Sequence, residues 1–92
     1  MTSEKTITIK NKQGLHARPA ALFVQIANKF NSEITVSKGK QKVNGKSIMG
    51  IMMLEAGVGS KVTITASGED AEKATSSLAG ILSNEDIDNF VM

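Results

Sequence analysis

The hydrophobic positions change their period along the chain, and each change predicts a new structural element. Residues 5–10 alternate between polar and β-branched side chains, which predicts a strand that buries Ile7 and Ile9 on one face. Over residues 17–30 the apolar positions repeat with a helical period, which predicts a helix with a broad apolar face. The chain is therefore expected to start with a strand that is followed by a helix.

Two short alternating segments then predict a β-hairpin. They cover residues 33–37 and 40–43, and Ser37-Lys38-Gly39 lies at their junction. Glycine adopts a positive φ at little cost, so this junction suits a tight turn. A further alternating segment at residues 61–67 predicts the last strand, and the apolar positions from residue 71 onward predict the last helix.

The apolar run at residues 48–54 fits either a buried strand or a short helix. Ser47 is a favoured helix N-cap and methionine favours helix over strand, so we predict a short helix that ends near Glu55. The side chains of this run cannot all face inward. We expect Ile51 and Leu54 to be buried. The side chains expected to be at least partly exposed are Ile48, Met49 and Met52.

The order of elements is βαββαβα, which predicts an α+β fold with an antiparallel sheet and helices packed on one face. Ninety-two residues correspond to one domain, so we expect a single domain over residues 1–92. Within it, residues 84–92 are expected to form a loose acidic tail.

Composition narrows the classes of function. The chain has no cysteine and one histidine, which argues against disulfides, thiolate chemistry and a metal site, and fits a reducing compartment. Aromatic residues make up only 3%, so a surface that stacks RNA bases is not expected. No segment approaches the ~20 apolar residues of a membrane span, and the first residues do not resemble a signal peptide. We therefore expect a cytoplasmic protein without membrane insertion or direct nucleic-acid binding.

Charge is unevenly distributed, although the formal net charge is only +2. Residues 1–46 are basic, and from Glu55 onward acidic residues predominate. The basic half suits an acidic partner or a phosphate, and a solvated lysine surface is an equally good interpretation.

The single histidine, the single arginine and the single proline lie together in Gly14-Leu15-His16-Ala17-Arg18-Pro19-Ala20. This segment leads from the first strand into the first helix, where N–H groups without intrahelical acceptors attract anions. Histidine is not favoured near a helix N-cap, whereas a neutral imidazole is a suitable nucleophile toward phosphorus. His16 is therefore a candidate phosphoryl acceptor. The alternative is an ordinary surface histidine beside a structural Arg-Pro pair.

Gly45-Lys46-Ser47 is similar to the end of a nucleotide-binding P-loop. That motif requires a glycine five residues before Gly45, where this chain has Lys40. We therefore do not predict nucleotide binding.

Two segments carry a resemblance to one family. Gly14-Leu15-His16-Ala17-Arg18-Pro19-Ala20-Ala21 is similar to the active-site signature of the histidine-containing phosphocarrier (HPr) family. Residues 46–54 resemble the family's segment around a regulatory serine. The resemblance covers about residues 4–83. It implies the family's open-faced β-sandwich, in which three helices pack on one face of a four-stranded antiparallel sheet.

The resemblance implies a phosphocarrier of the bacterial phosphoenolpyruvate-dependent sugar phosphotransferase system. His16 would accept a phosphoryl group on Nδ1 from enzyme I and pass it to the IIA domains of sugar permeases. Arg18 would assist transfer, and Ala17 and Arg18 would hold the phosphate. Ser47 would be the target of an HPr kinase/phosphorylase, and the seryl-phosphorylated form would bind a catabolite repressor. The residues that would contact partners are Arg18, Ala21, Ile48, Met49 and Met52.

Such a carrier is not an independent enzyme, because its partners complete each transfer site. His16 accordingly has no neighbouring carboxylate in the sequence. We expect no cofactor and a monomeric state. The family also contains a relative in which glutamine replaces the histidine and only a regulatory role remains. His16 places this chain with the carriers, and a regulatory or nitrogen-branch paralogue is the alternative.

Overall fold

Seven elements follow one another in the computed structural model, which describes residues 1–10 and 17–83. In chain order they are β1 (Thr2–Thr8), α1 (Ala17–Ala27), β2 (Glu33–Lys38), β3 (Gln41–Asn44), α2 (Ile48–Met53), β4 (Lys61–Ser67) and α3 (Ala71–Leu82). This order confirms the predicted βαββαβα arrangement. The predicted acidic tail at residues 84–92 lies outside the described residues.

The four strands form one antiparallel sheet in the spatial order β1-β4-β2-β3. In the central strand β4, Val62, Ile64 and Ala66 are buried and alternate with residues that are more exposed. The buried side faces the helices, because α3 packs on β1 and β4 while α1 packs against α2 and α3. The predicted α+β fold, an open antiparallel sheet with three helices, is confirmed.

The core is almost entirely aliphatic. Phe23 is the one aromatic side chain among the fully buried residues of the described ranges, and isoleucine, leucine and valine fill most of the remaining volume. Burial of each such side chain contributes about 1.5–3 kcal/mol. Ile51 and Leu54 belong to this core, as predicted, with exposed fractions of 0% and 1%. The segment around α2 is thus anchored by two side chains.

The longest helix in residues 1–10 and 17–83 is α3, with 12 residues. None of the helices in these ranges combines the length and the apolar character needed to cross a bilayer.

β1 lies closer to the N-terminus than predicted, since it covers Thr2–Thr8 rather than residues 5–10. It pairs with β4 along its whole length, and this pairing recruits polar residues that show no hydrophobic alternation. Ile9 is buried as predicted, but it lies beyond the strand, where its N–H donates to Ser60 O at 2.8 Å. Ile7 is only partly buried.

α1 ends earlier than the hydrophobic period predicts. The period continues to Phe30, but the helix stops at Ala27. The Phe30 N–H donates to the carbonyl of Ala27, three residues earlier, whereas an α-helical bond spans four residues. The side-chain Nδ2 of Asn28 donates to Val24 O at 2.9 Å. Val24 O also accepts the Asn28 backbone N–H at 2.9 Å, so the side-chain amide adds a second bond to this carbonyl, and the i−4 pattern gives way to i−3 bonds after Asn28.

The hairpin turn is displaced by one residue from its predicted position. Lys38 pairs with Gln41, so Gly39 and Lys40 form the turn. Gly39 has a φ of +60°, which confirms the expected need for glycine at this position.

A hydrogen-bonded clasp joins the loop after α1 to the turn before α3. The Asp70 carboxylate accepts from the N–H groups of Asn31 (2.8 Å) and Ser32 (3.0 Å) and from the Ser32 hydroxyl. Gly68 allows this close approach, because a Cβ there would lie 2.7 Å from Ser32 Cα. The hydrogen bond from the Ser32 side chain, followed by that from the Asn31 backbone, lowers the pKa of Asp70 below its usual value.

Asp70→Asn is expected to lower the melting temperature at neutral pH, because one acceptor oxygen becomes an NH₂ group facing N–H donors. Because the pKa of Asp70 is lowered, its carboxylate contributes fully to stability at pH values above the ordinary aspartate pKa of 3.8. This contribution is lost as the pH falls through the lower pKa of the folded state. Thermal melts across this range should therefore show the difference between variant and parent shrinking in acid. Glu69→Gln, an exposed neighbour, is the control, and a pH-independent difference would contradict the assignment.

Candidate functional site

The first turn of α1 presents Arg18 to solvent. The helix starts at Ala17, directly after His16, which itself lies outside the described residues. Arg18 is exposed whereas Pro19 is buried, so the fixed φ of proline stiffens this turn from the core side. The first N–H groups of an α-helix have no acceptor within the helix itself. Together with the guanidinium, such groups make the start of α1 a candidate anion site.

Ser47 is the N-cap of α2, as predicted. Its backbone is extended, and its Oγ accepts a hydrogen bond from the Gly50 N–H at 3.2 Å. The hydroxyl is the acceptor in this bond, so the bond does not use the hydroxyl hydrogen. Ser47 is half-buried and is followed by the exposed Ile48 and Met49. The same oxygen thus caps the helix and lies at the edge of an accessible surface.

Four apolar side chains of α2 form an exposed surface next to Ser47, which we call the docking patch. Their exposed fractions are 41% for Ile48, 68% for Met49, 40% for Met52 and 63% for Met53. Contiguous exposed apolar side chains are candidates for an interaction surface. The predicted exposure of Ile48, Met49 and Met52 is confirmed. Met53 was not predicted, although its place one helical turn after Met49 puts it on the same side.

α1 and α2 pack against each other, so Arg18 and the docking patch lie on neighbouring helices. Ala21, which follows Arg18 in α1, is half-buried. The residues for which the sequence predicts partner contacts are therefore carried by two adjacent elements.

Side chains from the hairpin hold the C-terminal end of α2. Lys38 Nζ donates to Leu54 O at 3.0 Å and to Glu55 O at 3.3 Å. Gln41 Nε2 donates to Met53 O at 3.1 Å. Each of these carbonyls lies at or just beyond the helix end, where no intrahelical donor is available. The local sequence offers no signal for these contacts, since lysine and glutamine near a turn are usually solvated.

A second set of contacts fixes the residue before Ser47. Lys46 Nζ donates to Phe30 O at 2.7 Å, and Asn28 Nδ2 approaches Lys46 O at 3.5 Å. These bonds tie the chain after α1 to the start of α2. Ser47 is thus positioned from both sides, by Lys46 before it and by its own bond to Gly50.

In the two ranges that the structure describes, no group of three or more histidine, cysteine, aspartate or glutamate side chains is arranged to hold a metal ion.

Comparison with known proteins identifies the family. Residues 3–84 match the family described as "PTS HPr component phosphorylation site". The chain belongs to the HPr family. This result confirms the resemblance carried by the two motifs, and it makes the chain a member of a phosphocarrier family of the phosphotransferase system.

Individual HPr relatives agree over most of the chain. The HPr-like protein Crh of Halalkalibacterium halodurans is 50% identical over 82 residues, which are 89% of this chain and 98% of Crh. The phosphocarrier protein HPr of Cupriavidus necator is 43% identical over 81 residues, 88% of this chain and 91% of that protein. The crystal structure of HPr from Bacillus anthracis str. Ames has a TM-score of 0.87 at 50% identity, covering 89% of this chain and 98% of that one.

Proposed function

We propose that this HPr-family chain is a working phosphocarrier, which accepts a phosphoryl group on His16 from phosphorylated enzyme I and passes it to IIA domains of sugar permeases. The observation that carries the proposal is the histidine in the family's active-site signature, which directly precedes the first residue of α1 and lies two positions before the exposed Arg18. Family membership supports the carrier class, and His16 supports the carrier role within it.

The proposed step is a displacement at phosphorus. The lone pair of His16 Nδ1 forms the new P–N bond while the bond from phosphorus to the donor breaks and its electron pair stays with the donor. The phosphoryl oxygens keep their negative charge throughout. Arg18 and the positive end of the α1 dipole stabilise that charge, while the partner protein supplies the rest of the site.

The histidine also separates the carrier role from the main alternative. The curated relatives include a protein named HPr-like and proteins named phosphocarrier. The resemblance to the family includes a regulatory relative in which glutamine replaces the histidine. A glutamine amide is a poor nucleophile, whereas the imidazole of His16 retains the chemistry that a carrier needs.

The test is incubation of the full chain with phosphoenolpyruvate and enzyme I, followed by mapping of the phosphate. We expect one acid-labile, base-stable phosphoryl group on His16, and its transfer to an added IIA domain. An absence of uptake from active enzyme I would overturn the proposal and favour a regulatory or nitrogen-branch paralogue.

Regulation and setting are part of the same proposal. Ser47 is proposed as the target of an HPr kinase/phosphorylase, with a catabolite repressor as partner of the seryl-phosphorylated form, acting in the cytoplasm. The N-cap position and partial exposure of Ser47 support this.

We also propose that the carrier works as a monomer. One solved HPr from Thermoanaerobacter tengcongensis is described as a dimer, so sedimentation at micromolar concentration is the check.

Arg18→Lys is expected to slow phosphoryl uptake, because an ammonium replaces a guanidinium fork that can bind two phosphoryl oxygens at once. A charge-assisted hydrogen bond contributes about 1.5–3 kcal/mol, so the rate should fall by roughly one to two orders of magnitude. Single-turnover kinetics with phosphorylated enzyme I provide the measurement. Lys29→Arg, an exposed cation outside the site, is the control. If Arg18→Lys and Arg18→Ala both took up phosphate at the parent rate, Arg18 would have a structural role only.

A further inference from the structure

The sulfur atoms of this protein have an unusual distribution. The chain has no cysteine and five methionines. The fully buried core of the described residues contains no methionine, and the methionines in these ranges, at positions 1, 49, 52 and 53, are all at least 40% exposed. Three of them lie on α2, in the docking patch. Apart from the two chain termini, every thioether therefore lies on one short helix next to Ser47.

Exposed thioethers react with hydroperoxides. A sulfur lone pair attacks the distal peroxide oxygen, the S–O bond forms as the O–O bond breaks, and the hydroperoxide leaves as water or an alcohol. Sulfur is oxidised by two electrons and the peroxide is reduced by two. The product is a sulfoxide, which replaces a flexible apolar side chain by a polar one.

We propose that Met49, Met52 and Met53 form an oxidation site, and that their conversion to sulfoxides by hydroperoxides weakens partner docking while the fold stays intact. The inference rests on the proposed function only in taking the docking patch as a partner surface. An apolar contact surface would then carry S=O groups that must be desolvated without a matching donor on the partner.

The contacts that anchor α2 in the structure do not use these three side chains. α2 is anchored by the buried Ile51 and Leu54, its N-terminus is capped by Ser47, and its C-terminal carbonyls accept bonds from Lys38 and Gln41. None of these contacts uses a methionine side chain. Oxidation should therefore change the chemistry of the surface and leave the helix in place.

The experiment treats the full chain with hydrogen peroxide and follows each methionine by peptide mass spectrometry. We expect one oxygen on each of Met49, Met52 and Met53, and a thermal melt with the cooperativity of the untreated chain. With phosphorylated enzyme I as donor, KM for the oxidised carrier should rise about tenfold and kcat should stay the same, as expected when binding is weakened and chemistry is not. Methionine sulfoxide reductases should restore the original KM.

Two variants assign the effect to the patch. In Met49→Leu/Met52→Leu/Met53→Leu, peroxide should leave KM at the variant's own starting value, although the terminal methionines still oxidise. In Met92→Leu, the peroxide effect should persist. Full oxidation of the three methionines without a change in KM, or with loss of the cooperative melt, would overturn the inference. Failure of the untreated chain to accept phosphate would instead count against the proposed function.

Discussion

His16→Ala is expected to fold like the parent chain and to accept no phosphoryl group. The residue precedes α1, and the core that holds the described residues together is built from the sheet and the three helices, so we expect the substitution to cost little stability. Its imidazole is the one candidate nucleophile in the motif, because the neighbouring residues carry aliphatic, guanidinium or proline side chains. Phosphoryl uptake from phosphorylated enzyme I should therefore fall below detection, because the nucleophile of the covalent step is missing. Weaker binding of the partner alone would lower the rate without abolishing uptake.

The measurement is acid-labile phosphate incorporated per chain, alongside a circular dichroism melt. His16→Gln serves as the matched variant, since it keeps a polar side chain that can hydrogen-bond but lacks a basic nitrogen. It should bind enzyme I with an affinity close to that of the parent and remain unphosphorylated. If either variant took up acid-labile phosphate at the parent rate, His16 would not be the acceptor.

Local hydrophobic period was enough to predict the element order and most of the core. The alternation in residues 61–67 was correct to the residue, because β4 is the central strand and is buried on one side along its length. β1 was shifted, because its first residues are polar and are strand only through pairing with β4. An edge strand takes its limits from its neighbour, and a single segment of sequence does not contain that information.

In the candidate site, too, some features are predictable from the sequence and others are visible only in the structure. The exposure of Ile48, Met49 and Met52 followed from the physical limit that a short helix cannot bury every side. The bonds from Lys38 and Gln41 to the end of α2 join residues that are 12 to 17 positions apart. They depend on how the hairpin packs beside the helix. Contacts of this kind require the three-dimensional arrangement, whereas the chemistry of the histidine motif is readable from the sequence.

Asp70 shows a further limit of local interpretation. An acid just before a helix is expected to cap it, and α3 does begin after Asp70. The carboxylate instead accepts hydrogen bonds from Asn31 and Ser32, which lie far away in sequence, and it makes no side-chain cap bond. The hydrogen bonds to Asn31 and Ser32 thus take the place of the N-cap bond that the position of Asp70 favours.

Phosphorylation of Ser47 is expected to slow phosphoryl uptake by His16 by about tenfold or more without unfolding the chain. The phosphate adds about −2 charge at the N-terminus of α2, where the helix dipole stabilises it. The ester oxygen remains Oγ, so an acceptor for the Gly50 N–H is still present. Beside the docking patch, the new charge repels a partner that presents carboxylates, and such juxtaposition costs several kcal/mol. A partner that presents arginine next to an apolar groove gains charge-assisted hydrogen bonds.

Two substitutions separate the cap from the charge. Ser47→Ala removes the cap, costs about 1 kcal/mol and should lower the melting temperature, but it adds no charge and should not reproduce the slow uptake. Ser47→Asp keeps a cap and adds one charge, so it should slow uptake partially. The measurements are uptake rates from phosphorylated enzyme I and thermal melts for the parent, the seryl-phosphorylated chain and both variants. Uptake by the phosphorylated chain at the parent rate, or a large loss of its thermal stability, would each contradict a charge-driven change of partner on an intact fold.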